Sequence, residues 1–187
     1  MINATEIRKG MVLKVEGDMF VVLECQHHTP GNLRAMMQVE MRSIKRGTKT
    51  SKRFRSTDAI EDAFVEVKPY EYLYKEGDDY IFMNVENYEQ VPIFKEVIGD
   101  AAPYMMLNSQ YRITYCDGQA VSIELPSSVV MTVVETEPGA KGDTRTNVFK
   151  PAKTETGLIV KVPLFLKQGE KIKIDTRTGL FLERSND

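Results

Sequence analysis

The sequence is dominated by short segments in which apolar and polar residues alternate, and turn-forming residues separate these segments. In the clearest segment Ala35, Met37, Val39 and Met41 fall on one side, while Met36, Gln38, Glu40 and Arg42 fall on the other. Successive strand residues point to opposite faces, so this pattern predicts a strand with one core face and one solvent face. Comparable segments recur with turns about every 8 to 12 residues, which favours an all-β chain of several small barrels.

Turn signals divide the predicted strands into three groups, which we assign to barrels over residues 1–63, 64–126 and 127–187. Gly17-Asp18 and Asp117-Gly118 are the tight turns of two predicted hairpins. Two further strands are predicted over residues 64–68 and 70–74, on either side of Pro69. Within the first barrel, Pro30-Gly31-Asn32 predicts a projecting loop over residues 26–34. Residues 94–107 form the only plausible helical stretch, and Gly99 and Pro103 predict that it is short and broken.

Several classes of protein are excluded by composition. The N-terminal segment has no apolar secretory core, and no run of roughly 18 apolar residues could span a membrane. Cys25 and Cys116 are the only cysteines, too few for a disulfide scaffold. We therefore expect a cytoplasmic protein whose two thiols are buried packing groups.

The formal net charge of -2 is the sum of unlike parts. Eleven basic and 8 acidic side chains give residues 1–63 a charge of +3, whereas 4 basic and 11 acidic ones give residues 64–126 a charge of -7. Ten basic and 8 acidic side chains give residues 127–187 a charge of +2. Two basic ends around an acidic middle leave polyanion binding open despite the near-neutral total.

The strongest basic signal lies between residues 34 and 55, where Glu40 is the sole acid. Its cations are Arg34, Arg42, Lys45, Arg46, Lys49, Lys52, Arg53 and Arg55. Several of them fall on the predicted solvent face, which is typical of contact with a phosphate backbone. Phe54 is the only aromatic residue there, so we expect contact with folded RNA rather than stacking on single-stranded bases.

The sequence offers little for catalysis. His27 and His28 are adjacent, and neighbouring strand residues diverge, so they make a poor metal-binding pair. No nucleophile elbow, phosphate-binding Gly-Lys-Ser/Thr loop or dinucleotide fingerprint occurs. We predict no metal, no cofactor and no enzymatic activity.

Ordered motifs along the whole chain resemble bacterial elongation factor P. The most specific one comprises Lys150, Pro151, Ala152, Gly157, Val162, Pro163, Leu166, Gly169 and Glu170, followed by Ile174–Gly179. Shorter matches are Arg55–Asp58, Phe82–Asn84, Ile98–Asp100 and Gly142–Thr144. Ala4–Leu13 also looks like the elongation-factor-P-like paralogue, but that branch lacks the Gly-Asp-Thr triplet present here.

The resemblance implies an L-shaped molecule with an N-terminal SH3-like barrel of the KOW type and two OB-fold barrels. It also implies a factor that enters the 70S ribosome between the P and E sites, contacts both subunits and rRNA, and imitates tRNA. Such a factor positions peptidyl-tRNA and stimulates peptide-bond formation at consecutive prolines. A monomer is expected, because it must fit a tRNA-sized slot.

The resemblance further implies roles for particular residues. The tRNA or rRNA contacts would be Arg42, Lys45, Arg46, Lys49, Lys52, Arg53 and Arg55. The loop tip toward the peptidyl transferase centre would be Pro30, Gly31, Asn32, Leu33 and Arg34. Gly142, Asp143 and Thr144 would face the mRNA codon in the exit site, and Arg177 and Arg184 would be RNA contacts of the third barrel.

The loop tip departs from the family pattern. Many members carry a lysine there that receives a β-lysyl group, and another branch carries a rhamnosylated arginine. Asn32 occupies that position here and lacks the amine that lysylation needs, while Arg34 is the nearest cation. An unmodified tip and an arginine-based tip both remain open, and no modifying enzyme is assigned.

Two other functions compete with the ribosomal one. A non-ribosomal OB-fold RNA-binding module would bind free single-stranded RNA as well as it binds ribosomes. An enzyme acting on a small ligand would need a pocket with perturbed titratable groups, for which the sequence supplies no residues.

Overall fold

A computed structural model describes residues 1–29, 35–138 and 149–185. Its strands are antiparallel throughout and form three sheets, as the alternation predicts. The described residues divide into two compact units, the first containing residues 1–98 and 110–124 and the second containing residues 99–109 and 125–185.

The first sheet, in the order β1-β6-β2-β3-β4-β5, is built from the N-terminal third of the chain. Its strands are β1 (Ile2–Asn3), β2 (Val12–Val15), β3 (Asp18–His28), β4 (Met36–Ser43), β5 (Lys49–Arg55) and β6 (Ala59–Asp62). Met37, Val39 and Met41 of β4 lie in its core with Ile7 and Leu13, so the predicted core face of that segment is confirmed. A 3-10 helix over Ala4–Glu6 was not predicted.

Two details of this sheet differ from the sequence predictions. The β2–β3 turn consists of Glu16 and Gly17, both with positive φ (53° and 82°), one residue earlier than predicted. The loop expected from residue 26 begins later, because β3 continues through His28 and pairs Gln26 with Gln38. That pairing satisfies backbone groups which a loop would leave to water.

The second sheet, in the order β11-β10-β7-β8-β9, belongs to the same unit. Its strands are β7 (Glu66–Glu76), β8 (Asp79–Asn84), β9 (Gln90–Ile93), β10 (Gln110–Cys116) and β11 (Gln119–Glu124). Aromatic rings fill its core. The centre of the Phe82 ring lies 5.3 Å from that of Tyr72 and 6.4 Å from that of Tyr111, which it meets edge to face. Two strands were expected over residues 64–74, but β7 runs unbroken through Pro69, which pairs with Arg112 of β10.

The predicted broken helix is confirmed, and its two halves fall in different units. Helix α1 (Lys95–Ile98) stays with the second sheet, whereas a 3-10 helix over Gly99–Tyr104 packs in the second unit. The Thr156 hydroxyl donates to the Pro103 carbonyl at 2.6 Å, and Tyr104 packs against the core of the third sheet. Gly99 has a φ of 52°, which marks where the α-helix gives way.

The third sheet has the order β14-β13-β12-β15-β16, and β14 also contacts β16. The strands are β12 (Ser128–Thr136), β13 (Phe149–Thr154), β14 (Ile159–Pro163), β15 (Lys171–Asp175) and β16 (Phe181–Ser185). Fully buried aliphatic side chains from all but the last of these strands form its core, including Met131, Val162, Ile172 and Ile174.

Candidate nucleic-acid interface

The predicted basic segment folds as a β-hairpin, β4–β5, at one edge of the first sheet. Its turn is fixed by Ser43, whose amide donates to the Thr48 carbonyl at 3.0 Å and whose carbonyl accepts from the Gly47 amide at 2.9 Å. The Ser43 hydroxyl accepts from the Arg46 amide at 3.1 Å and donates to the Asp18 carboxylate at 3.0 Å. The turn therefore presents Lys45 and Arg46 from a hydrogen-bonded base.

Cross-strand register places three further cations on one face of this hairpin. Lys49 lies opposite Arg42, Arg53 opposite Gln38 and Arg55 opposite Met36, and alternate residues of β5 share a face. The side chains of Lys49, Arg53 and Arg55 are exposed. The basic hairpin surface, as we call it, consists of these three residues and of Lys45 and Arg46 in the turn.

This surface has few anionic partners. Within the described ranges no carboxylate lies within 4.0 Å of the charged side-chain nitrogens of Lys45, Lys49, Arg53 or Arg55, and the Arg46 guanidinium reaches Asp18 only at 4.0 Å. The Asp58 carboxylate accepts from the backbone amide of Arg55 at 2.8 Å. Several cations elsewhere in the described residues do form ion pairs: Lys14 with Glu61, Lys68 with Glu66, Lys95 with Asp78, Arg112 with Glu124, and Lys173 with Glu183. Unneutralised cations grouped on one rigid hairpin form a favourable surface for phosphate groups.

Lys52 lies apart from this surface. It pairs with Val39, on the face of β5 that also carries buried Phe54. Its ammonium forms an ion pair with Glu16, lies 5.8 Å from the centre of the Phe54 ring, and lowers the pKa of the Glu16 carboxyl. Strand alternation therefore points Lys52 away from Arg53 and Arg55. Its RNA contact stays a prediction.

Arg42 also departs from the expected role. Its side chain is only 9% exposed, and its guanidinium donates to the carbonyl of Val121 on β11 at 2.8 Å. Burial lowers the pKa of Arg42, opposed by the nearby Glu96 carboxylate. The predicted solvent face is thus covered by the second sheet at this point, which places Arg42 outside the basic hairpin surface. Its RNA contact stays a prediction.

Further polar side chains extend the basic hairpin surface toward β3, and of these Gln26 and Gln38 were not predicted as contacts from the sequence. Gln26 lies opposite Gln38, which in turn lies opposite Arg53, so two amides continue the row of the arginine. His28 lies opposite Met36 in the row of Arg55. Simple alternation extended along β3 would have placed Gln26 and His28 on the core face, because a β-bulge between Val22 and Glu24 reverses the side-chain pattern.

The two arginines predicted in the third barrel are exposed but paired. Arg177, between β15 and β16, lies 3.6 Å from the Asp175 carboxylate, and Arg184 of β16 lies 3.3 Å from Glu170. Two other predicted groups, Pro30–Arg34 and Gly142–Thr144, lie outside the described residues.

The described residues show little chemistry suited to catalysis or metal binding. They contain no group of three or more His, Cys, Asp or Glu side chains placed to hold a metal ion. Cys116 is buried, which raises the pKa of its thiol, and the half-buried Cys25 thiol donates to the Ile7 carbonyl at 3.4 Å. Across the described ranges, every helix is too short to cross a membrane.

Comparison with known proteins covers all three sheets. Three family descriptions match in order: the elongation factor P KOW-like domain over residues 3–60, the elongation factor P OB domain over residues 65–123, and the elongation factor P C-terminal domain over residues 129–184. The predicted fold class of three small β-barrel domains is confirmed by these matches and the three sheets.

Curated relatives match along nearly their full length. Elongation factor P of Acidobacterium capsulatum is 48% identical over 98% of this chain and 99% of its own, and that of Gemmatimonas aurantiaca is 44% identical over 99% and 98%. A solved eukaryotic translation initiation factor 5A from Methanococcus jannaschii is 16% identical, with a TM-score of 0.43 over 66% of this chain and 90% of that one. The chain therefore belongs to the elongation factor P family of translation factors.

Proposed function

We propose that this protein binds the 70S ribosome between the P and E sites, positions the peptidyl-tRNA and stimulates peptide-bond formation at consecutive prolines. The observation that carries the proposal is the basic hairpin surface on a chain whose three domains all match the elongation factor P family. The contribution is one of positioning. A poor prolyl nucleophile reacts faster when the reacting groups are held in a productive geometry.

The basic hairpin surface is the proposed contact with tRNA or rRNA phosphates. Its five cations project from a paired strand and a hydrogen-bonded turn, so little backbone conformational entropy is lost when they bind. Arg177 and Arg184 are proposed as weaker contacts, because RNA must compete with Asp175 and Glu170 for them. No cofactor is required, and the active species is a monomer.

The loop tip and the codon contact are proposed from the sequence. Residues 30–34 would approach the peptidyl transferase centre, and Gly142, Asp143 and Thr144 would contact the mRNA in the exit site. Because Asn32 has no amine, Arg34 is the proposed cation of the tip. We expect Arg34→Ala to reduce relief of stalling more than Asn32→Ala does, and the reverse order would assign the tip to Asn32.

The modification state of the tip has a direct test. Intact-protein mass and peptide mapping of residues 29–37 from the native host would reveal any added group. An added mass on Arg34 supports an arginine-based tip, and an unchanged mass supports an unmodified one. A modification on any other residue of this peptide would contradict both alternatives.

The function itself is tested with a message that encodes three consecutive prolines. Purified protein added to a reconstituted translation system should shorten the pause at the proline codons and leave a proline-free message unaffected. Binding to ribosomes without a shorter pause would refute the proposal. Equal, salt-sensitive affinity for free single-stranded RNA and for ribosomes would favour the RNA-binding module instead.

A further inference from the structure

Arg42 stands out because it is a buried cation on the face of β4 that also carries the half-buried Gln38 and the exposed Glu40. Register places it in a row with Val12 of β2, Val21 of β3 and Lys49 of β5. Val12 and Val21 are almost fully buried, although they lie on the outer face of the first sheet. This end of the outer face is therefore covered at β2, β3 and β4, whereas Lys49 of β5 and the end that carries Arg53 and Arg55 are exposed.

The cover comes from the second sheet of the same unit. Val12 forms one buried cluster with Cys116 and Val121, and Met19, Ile44, Ala63 and Val65 pack around it. The Arg42 guanidinium reaches across this junction to the Val121 carbonyl at 2.8 Å, between residues 79 positions apart in sequence. Glu96 of α1, which belongs to the second sheet, is its nearby opposite charge.

A buried arginine is a costly way to fill such a junction. Apolar contacts would be at least as stabilising, but they are non-directional and allow two surfaces to slide or rotate. A guanidinium that donates to one backbone carbonyl fixes both distance and angle. Lysine lacks the planar fork, so it would keep the charge and lose the geometry.

We propose that Arg42 is a positioning residue that fixes the first barrel on the second, so that the basic hairpin surface meets RNA in a single orientation. The inference rests on the proposed function. Arg42 lies on the same strand pair as that surface and directly opposite Lys49. Any rotation at the junction would therefore displace every cation of the surface together.

The structural arm of the test needs no ribosome. Residual dipolar couplings measured separately for the strands of the first and second sheets should give one common alignment in the wild type. Arg42→Met, which keeps a long side chain, should give two different alignments with both barrels folded. For Arg42→Lys, the difference in alignment between the two sheets should lie between those of the wild type and Arg42→Met. This variant replaces Arg42→Met in the test if the methionine variant does not fold. Identical alignments for wild type and folded variants would overturn the proposal.

The functional arm separates orientation from RNA contact. Arg42→Met should lower the maximal rate of prolyl transfer about 10-fold, with the protein concentration for half-maximal effect nearly unchanged. Arg53→Met is the matched control on the same hairpin: it should raise that concentration and reduce the salt dependence of binding. Arg42→Met behaving like Arg53→Met would identify Arg42 as an RNA contact. If the wild-type protein itself is inactive, the proposed function is refuted. The dipolar couplings then still test whether Arg42 fixes the orientation of the first barrel on the second.

Discussion

The basic hairpin surface gives a quantitative prediction for the triple variant Lys49→Gln, Arg53→Gln and Arg55→Gln. Each phosphate neutralised by a cation contributes about 0.7 to 0.9 to the slope of log affinity against log salt. Three contacts therefore change the slope by roughly 2 to 3. Raising the salt from about 50 to about 200 mM should therefore weaken the binding of the wild type about 30-fold more than it weakens the binding of the variant.

The assay is equilibrium binding to 70S ribosomes that carry peptidyl-tRNA, with KCl varied at constant magnesium. We expect weaker binding at low salt and a shallower salt dependence, with folding stability nearly unchanged because the three side chains are exposed and make no ion pair within the described ranges.

A second triple variant removes the same charge from other places. Lys14→Gln, Lys95→Gln and Lys173→Gln replace exposed lysines that pair with carboxylates at 3.2, 2.8 and 3.0 Å. Their ion pairs are worth about 0 to 1 kcal/mol each, so this protein should also stay folded. Equal loss of affinity in both triples would mean that net charge governs binding. An unchanged salt slope in the hairpin triple would refute phosphate contact by this surface.

Two predictions concern the third barrel. Gly179→Ala should lower the free energy of unfolding by about 1 to 3 kcal/mol, because φ is +71° and the new Cβ would meet the Tyr104 hydroxyl at 2.9 Å. Gly157→Ala, with φ +86° and open space around the new Cβ, is the control for backbone strain alone. An equal loss of stability in both variants would exclude the clash. The Asp175 carboxylate accepts from the backbone amides of the second and third residues after it, which lowers its pKa, so its stabilisation is present above the unfolded pKa and is lost as pH falls through the lower folded one. Urea unfolding of Asp175→Asn against wild type should show a deficit at neutral pH that disappears in acid, and a pH-independent deficit would contradict this reasoning.

The sequence predicted best what local alternation determines. Met37, Val39 and Met41 were placed in the core from β4 alone, because strand side chains alternate whatever the sheet packs against. The Asp117-Gly118 turn was also correct, with both residues at positive φ (49° and 76°). Lys52 was open to the same rule, since alternation within β5 separates it from Arg53 and Arg55.

Long-range packing accounts for most of what was missed. The burial of Arg42 depends on a carbonyl of Val121, and no local pattern indicates that a second sheet covers one end of an outer face. Pro69 was predicted to separate two strands. In β7 its backbone nitrogen lies just before the residues that pair with β8, so no ladder hydrogen bond to β8 is lost there, and its carbonyl accepts from the Val85 amide at 3.3 Å. The Gly99–Tyr104 helix follows α1 in sequence but packs with the third sheet.

The most direct test of the central claim is the rate of prolyl transfer on purified ribosomes paused at a three-proline sequence, measured by rapid quench with and without this protein. We expect a clear acceleration that saturates with protein concentration and is absent on a message without consecutive prolines. Saturated binding with an unchanged rate of prolyl transfer would contradict it.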